Sequence, residues 1–396
     1  MSKKVGFVGL SDTTGQTQGQ GKEIGIGLLG HAFMGKAHTN AYKKIPYIYW
    51  PSTAVPRLVQ ICGIPEAAVA EAAARYGYEQ VTTDWKDLIA NEDVQLLDNA
   101  GPNNLHAEPC IAAAKAGKHV LSEKPLARTS AEARTMWEAV RDAGVKHMCG
   151  FNYRFVPAIR LAKEMIDAGE LGQIYHFRAR YLQEWIMDPE FPWVWRLAKD
   201  ISGSGALGDL GAHIIDLSRF FVGEPDQVGA IASTFIQQRK DSSGTIRQVD
   251  VDDAFEATVR FRSGAIGTYE ASRFAGGRKN HMTFEINGSK ATLVFNLERL
   301  NELQICDVNN GSGQGFRTLS VSEAHHSLYD AWWPHGHHLG WEHAHIHELH
   351  HLLNAIANDT DIAPYGATFE DGYKCAVICD AIMASAGSGS RATISY

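Results

Sequence analysis

The run Glu23-Ile24-Gly25-Ile26-Gly27-Leu28-Leu29-Gly30-His31-Ala32-Phe33-Met34-Gly35-Lys36-Ala37-His38 decides the fold. Its first half, to Leu29, is an apolar strand. Its second half opens a helix through a glycine turn. Gly30-x-Ala32-x-x-Gly35 stands where a Gly-x-Gly-x-x-Gly turn belongs, after a strand and before a helix. In that setting a pyrophosphate can approach the backbone N–H groups at the helix N-terminus. Alanine in the second place departs from the pattern yet still permits close approach. The competing reading is a structural glycine turn; the strand-turn-helix context favours a nucleotide.

Strand and helix signals alternate outward from this run. Leu58 to Cys62 reads as a strand, Pro65 to Tyr76 as an alanine-rich helix, and Gln80 to Thr82 as a short strand. Val94 to Ala100 and His119 to Ser122 are further strands, with helices at His106 to Ala116 and Ser130 to Ala143. The alternation predicts a doubly wound parallel sheet over 23–150. Residues 11–22 are polar and low in complexity, a flexible loop after a short strand at 5–10, so 1–22 forms an extension. Past residue 150 the rhythm changes. After a helix at 157–168, strands are expected at 174–181, 228–236, 254–262, 265–272, 281–286 and 291–295. Ser263-Gly264 and Asn287-Gly288 carry hairpin signals, and helices at 342–357 and 370–386 close the chain. Residues 151–396 therefore form an α+β domain with a largely antiparallel, open sheet.

Composition narrows the function. The 396 residues are 44% hydrophobic and 21% charged, as in a globular protein, and too long for one ordinary core. Lys+Arg 37 against Asp+Glu 45 gives a net charge of −8, which disfavours nucleic acid and anionic membranes as partners. No apolar run reaches the roughly 18–20 residues that span a bilayer, and the N-terminus is too short and glycine-rich for a signal peptide. Six scattered cysteines read as buried thiols in a reducing cytoplasm.

Ligands of open α/β sheets sit beyond the carboxyl ends of the strands. The fourth strand delivers Ala100-Gly101-Pro102-Asn103-Asn104-Leu105-His106 there, and the fifth delivers Ser122-Glu123-Lys124-Pro125. The second strand should end in an acid for the adenosine ribose, yet it ends at Cys62-Gly63-Ile64. No arginine follows to hold a 2′-phosphate either. NAD is expected, because a phosphate without a cation costs more than a ribose without an acid; NADP stays open. In the second domain, Asp209 and His213 are one helical turn apart on one face, a pair suited to proton transfer. Capping or surface detail is the bland alternative.

These motifs together resemble the Gfo/Idh/MocA family of NAD(P)-dependent sugar and cyclitol oxidoreductases. The anchors are Gly30 to His38, Pro102-Asn103-x-x-His106, Glu123-Lys124-Pro125, Phe151-Asn152-Tyr153-Arg154 and Asp209-x-x-x-His213. The resemblance implies a Rossmann first domain and a second domain whose open sheet builds a homo-oligomer, a dimer, a tetramer or larger. It puts Phe33, Met34, Asn103, His106, Glu123 and Lys124 against the dinucleotide; Gly30, Ala32, Gly35, Pro102 and Asn152 are further candidates there, as is Cys62 at the second strand's end, although it departs from the family's pattern. Lys124, Asp209 and His213 would surround a reacting hydroxyl, with Arg154 and Gln183 as sugar contacts.

The implied reaction oxidises a secondary hydroxyl of a pyranose or glycoside, at C3, with hydride passing to nicotinamide. His213 is assigned as base, Asp209 as its orienter or a substrate anchor, and Lys124 as the cation; Lys124 becomes the base instead if burial lowers its pKa. Trp185, Trp193 and Trp195 divide between sugar stacking and core packing. Two alternatives stand beside this: redox-assisted glycoside cleavage on tightly bound NAD, and a sugar- or NAD-sensing protein without turnover. Ten of the eighteen histidines fall between His325 and His351, where His347-Glu348-Leu349-His350-His351 matches the His-Glu-x-x-His zinc pattern. The same helix carries an apolar stripe, so histidines lining a cleft or subunit contact are the favoured reading over a metal.

Overall fold

The computed structural model describes residues 21–396. The strand expected at 5–10 and all but the last two residues of the 11–22 loop lie outside the described residues. The first sheet runs through β1 (Lys22–Leu29), β2 (Ala54–Cys62), β3 (Gln80–Thr82), β4 (Leu96–Asn99), β5 (His119–Ser122) and β6 (His147–Cys149). Helices α1 (Phe33–Ile48), α2 (Glu66–Tyr76), α3 (Trp85–Ala90), α4 (Ala107–Lys115) and α5 (Ser130–Ala143) connect them. The order is β3-β2-β1-β4-β5-β6, every pair parallel. In β1 six successive residues are buried, as a strand covered on both faces requires. Helix α5 starts where Thr129 accepts from the Glu132 N–H and stops at left-handed Gly144, φ +66°. The strand order reverses between β1 and β4, so a crevice opens at their carboxyl ends.

The second sheet holds nine strands. They are β7 (Ile174–Leu182), β8 (Pro225–Ser233), β11 (Ala254–Phe261), β12 (Ile266–Ser272), β13 (His281–Gly288), β14 (Ala291–Asn296), β15 (Glu302–Asp307), β16 (Arg317–Ser320) and β17 (Ala392–Thr393). A separate ribbon pairs β9 (Gln238–Lys240) with β10 (Ile246–Gln248). The nine run β16-β15-β14-β13-β7-β12-β11-β8-β17, antiparallel except where β7 meets β12. Strict alternation in β11 buries Phe255, Ala257, Val259 and Phe261 on one face. Helices α6 (Pro157–Asp167), α8 (Ala212–Val222) and α10 (Phe369–Ser388) cover that face, while the other is open and polar. The short α7 is Lys199–Ser202, and α9 is Trp341–Asn358.

Helix α9 leaves the second sheet and packs on α1, where Asn40 and Lys44 both hold the Glu342 carboxylate at 2.7 Å. That contact carries Trp341 over the nucleotide turn. Among the described residues no helix is long and apolar enough to cross a membrane.

Candidate active site

Two adjoining cavities occupy the crevice. The first, of about 410 Å³, is bounded by Gly30 to Met34, Gly63, Pro102, Asn103 and Trp195. Gly30 sits at φ +100°, and a Cβ there would lie 2.5 Å from the Ala100 carbonyl oxygen. A Cβ on Gly35 would collide with the Gly30 carbonyl. Only glycine closes this turn. Helix α1 begins beside it with no side-chain cap at Ala32 and no acid in its first turn. Its leading N–H groups are thus left to a ligand, and the tight turn, the uncapped 16-residue helix and the lining cleft fit a dinucleotide pyrophosphate. Asn103, on the rim, donates to the Ser202 carbonyl at 2.8 Å and clasps the second domain.

Two residues expected at this cleft are elsewhere. Cys62 is buried in the core, its thiol pushed up to about 12 by burial, because the strand turns that side chain inward. Gly63 and Ile64 reach the cleft instead. His106 is fully buried beneath the loops, its ring nitrogens 2.9 Å from the Pro125 carbonyl and 3.1 Å from that of Gly101. It ties the two strand-end loops together and does not line the cleft.

The second cavity, of about 510 Å³, shares Phe33, Met34, Glu123, Lys124, Arg196 and Asp209 with the first. Lys124 Nζ donates to the Asp209 carbonyl at 2.8 Å and faces its carboxylate at 3.4 Å. Asp209 belongs to a π turn, Leu207–Gly211, that runs into α8, a local widening frequent at functional sites. Burial alone would raise its pKa, but Lys124, Arg273 and Arg196 outweigh it and hold the carboxylate below its usual range. His213 is buried, 4.6 Å from the Tyr153 ring centroid, and its Nδ1 has no hydrogen-bond partner. Burial first, then the charges of Lys124 and His345, hold its pKa well below that of free histidine. The expected Asp209/His213 pair is therefore not formed. The carboxylate goes to Lys124, and the imidazole stays neutral without an acid beside it.

Beneath Lys124 lies a buried cluster. Glu123 accepts from His38 Nε2 at 3.1 Å, His38 Nδ1 lies 2.9 Å from Asp98, and Tyr42 donates to Asp98 at 2.9 Å. An imidazole with carboxylates at both nitrogens is held as the cation. Burial would lower its pKa, but Asp98 and Glu123 raise it well above the usual value. The Lys124 N–H in turn donates to Glu123 at 3.2 Å, so the cluster anchors the lysine's backbone.

Gln183 lines the second cavity and donates to Asn280 Oδ1 at 2.8 Å, where Tyr181 also donates at 2.6 Å. Tyr153 is 2.7 Å from Tyr181, completing a polar wall. Asn152 lines this cavity and not the dinucleotide cleft, with its Nδ2 3.1 Å from His345 Nε2. Arg154 reaches neither cavity. It is 3% exposed and grips Asp216 through Nε at 2.8 Å and Nη2 at 2.5 Å, a buried ion pair between two helical segments. Of the three tryptophans, Trp185 lines the second cavity and Trp195 the first. Trp193 donates to the Gln248 carbonyl and packs beside Val249 and Val251.

The histidine-rich stretch divides. His347 Nδ1 lies 2.9 Å from the Phe155 carbonyl and its Nε2 accepts from Trp332; His351 Nε2 donates to the Ile362 carbonyl at 2.8 Å. Between them Glu348 is fully buried without a hydrogen-bond partner, and burial pushes its carboxyl well up. Among the described residues no group of three potential ligands could hold a metal. Of the stretch's histidines, His345 alone lines the second cavity. Sequence spacing also missed Asn280, Trp341, Arg196 and Arg273, which reach the two cavities from loops and helix starts far apart along the chain.

Comparisons with known proteins agree with this geometry. A family model described as the oxidoreductase family, NAD-binding Rossmann fold, matches residues 24–151, and one for the GFO/IDH/MocA C-terminal domain matches 159–294. Levoglucosan dehydrogenase of Pseudarthrobacter phenanthrenivorans is 44% identical over 384 residues, 93% of this chain and 97% of that protein. D-glucoside 3-dehydrogenase of Escherichia coli is 29% identical over 222 residues, 54% and 62% of the two chains. A structure of levoglucosan dehydrogenase in complex with NADH and levoglucosan superposes with a TM-score of 0.91 at 43% identity, covering 94% of this chain and 100% of that one. On these similarities the chain belongs to the Gfo/Idh/MocA family and is an NAD-dependent oxidoreductase acting on CH–OH groups.

Proposed function

We propose that this enzyme oxidises a secondary hydroxyl, at C3, of a pyranose, an anhydrosugar or a glycoside to the keto-sugar. The observation that carries the reading is Lys124. It stands on the wall common to both cavities, held by Asp209, with a neutral His213 in the same chamber. The similarity to levoglucosan dehydrogenase supports a sugar, and the similarity to D-glucoside 3-dehydrogenase supports C3. The turn at Gly30 to Gly35 and the rim at Pro102 and Asn103 would hold the cofactor. Bound there, the nicotinamide would supply the hydride acceptor for the carbinol carbon.

The remaining work falls to side chains. A sugar hydroxyl is a poor acid, so its proton needs an acceptor in reach and its oxygen a positive charge as the C–O bond shortens. His213, neutral through burial, accepts the proton. The Lys124 ammonium donates to the same oxygen and balances the developing alkoxide. Asp209 holds Lys124 in place, and Gln183, Asn152 and Asn280 offer amides to the other hydroxyls. Tyr153, Tyr181 and Trp185 supply apolar ring surface and keep water out.

The test incubates the enzyme with NAD and levoglucosan, glucose and methyl glucosides, following nicotinamide absorbance and product mass. Keto-sugar with stoichiometric NADH is expected, and Lys124→Ala should abolish it while NADH still binds. Release of the aglycone without net NADH would instead establish redox-assisted cleavage. Unchanged turnover in Lys124→Ala would remove the lysine from the reaction.

A further inference from the structure

A third cavity of about 460 Å³ adjoins the second and shares two of its residues, Asn280 and Trp341. Asn280 forms the sill between them. Its Oδ1 accepts from Tyr181 and Gln183 on the inner side, and the side chain is only partly buried. An amide fixed through its oxygen can still offer an N–H to a ligand lying across the sill. Trp341 stands beside it, stacked on Phe33 at 5.5 Å and partly exposed.

Beyond the sill the groove is built and rigid. Asn301 clasps the Leu339 backbone in both directions, at 2.9 and 3.0 Å, and so fixes the loop leading to Gly340. Glu298 is paired with His281 at 2.8 Å, and Glu302 with Arg299 at 3.3 Å. Leucines and a tryptophan thus alternate with oriented polar groups, a lining that suits a sugar's apolar ring faces and hydroxyl rim. Two carboxylates against one guanidinium disfavour a phosphorylated or acidic ligand.

We propose that this groove is a second saccharide subsite, so that the preferred substrate is a neutral glycoside whose oxidised ring occupies the inner cavity and whose second sugar lies across the Asn280–Trp341 sill. The inference rests on the sugar-dehydrogenase reading above and adds the size and charge of the substrate to it. The volumes agree with it: the inner chamber and the groove each have room for one ring.

The experiment compares kcat/KM for glucose and methyl glucosides with that for maltose, cellobiose and sucrose, and with an aryl glucoside and a sugar phosphate. At least one disaccharide should exceed its methyl glucoside by about tenfold, roughly the effect of 1.4 kcal/mol of binding. Gly340→Phe should erase that gain and leave the methyl glucosides unchanged. Gly340 lines only the groove, its φ is −107°, and an added Cβ meets nothing closer than 3.8 Å, so the backbone there accepts a side chain. His338→Trp, on the exposed rim, is an independent block. Equal rates for disaccharides and methyl glucosides overturn the subsite, as does a gain that survives both blocks or one confined to the aryl glucoside or the phosphate. Failure of every sugar, methyl glucosides included, would instead overturn the underlying function and the subsite with it.

Discussion

Replacing Arg154 by methionine separates two readings of the same residue. As a sugar contact it would leave the fold intact and raise KM, because one charged hydrogen bond contributes about 1.5–3 kcal/mol, roughly 10- to 150-fold. The structure places it instead in a bidentate pair with Asp216, the two side chains 3% and 1% exposed, outside both cavities. Removing one member of such a pair leaves an uncompensated buried charge and costs about 3–5 kcal/mol. At roughly 2–4 °C per kcal/mol for a domain of this size, Tm should fall by about 6–20 °C. The enzyme assayed well below that transition should keep its KM for sugar. The loss should also depend on pH. Asp216 already sits above the usual carboxyl range, because burial raises it more than Arg154 and its neighbours lower it. Without Arg154 its folded pKa rises further above the unfolded value of about 3.9. A carboxyl with a raised folded pKa weighs on stability increasingly as pH climbs from the unfolded to the folded value. The deficit, measured by thermal unfolding, should therefore be larger at pH 8 than at pH 5, and Asp216→Asn in the same background should recover part of it. An unchanged Tm with a raised KM would refute the structural role.

Gly30→Ala should weaken NADH binding more than tenfold, since the φ of +100° and the 2.5 Å approach to Ala100 leave no place for a methyl; fluorescence titration reads it. Cys62→Ala should leave the NADH Kd within about twofold, because that side chain faces the core and not the cleft. In wild type, kcat should be flat across neutral pH and fall only as pH drops through the depressed pKa of His213, the acidic side of 6.5, since the base must be neutral to accept a proton. Glu348→Gln should shift Tm little, as it replaces a carboxyl already kept neutral by burial with its isostere, and dialysis against a chelator should not change turnover.

The elements that sequence exposed best are those whose burial pattern is local. Six successive buried residues make β1 plain, and alternation makes β11 plain. The six-residue α3, the three-residue β6 and the strands from β15 to β17 escape the sequence reading: most carry too few residues and no strong flanking signal, and six-residue β15 buries only Leu303 and Ile305. The same distinction governs the site. The place of Lys124 at the cleft follows from its position after a strand end, which any parallel sheet turns toward its ligand. Arg154 was misassigned because its partner lies 62 residues away and nothing near it in sequence marks a buried acid. Asn280, Trp341 and His345 come from a loop between strands and from α9, and only the packing of α9 on α1 brings them to the nucleotide turn.

The spacing of Asp209 and His213 shows what a helical period leaves undecided. Four residues apart on one helical segment, they are neighbours, yet which charge the acid serves depends on Lys124, 85 residues earlier. The outcome matters for the chemistry. Had the carboxylate rested on His213, it would have stabilised the imidazolium, and each unit of raised pKa would make the proton about 1.4 kcal/mol harder to lose. A cationic histidine cannot accept the hydroxyl proton. By giving both its carbonyl and its carboxylate to Lys124, Asp209 holds the cation where an alkoxide would form and leaves His213 to burial, which keeps it neutral. On the proposed mechanism the two residues serve because they are near each other and not paired. Asp209→Asn tests this: the Lys124 contact weakens and kcat falls, but the acidic limb of the pH profile should stay within about half a unit of wild type. A limb that moves by a unit or more toward lower pH would mean the carboxylate had been supporting the imidazolium after all.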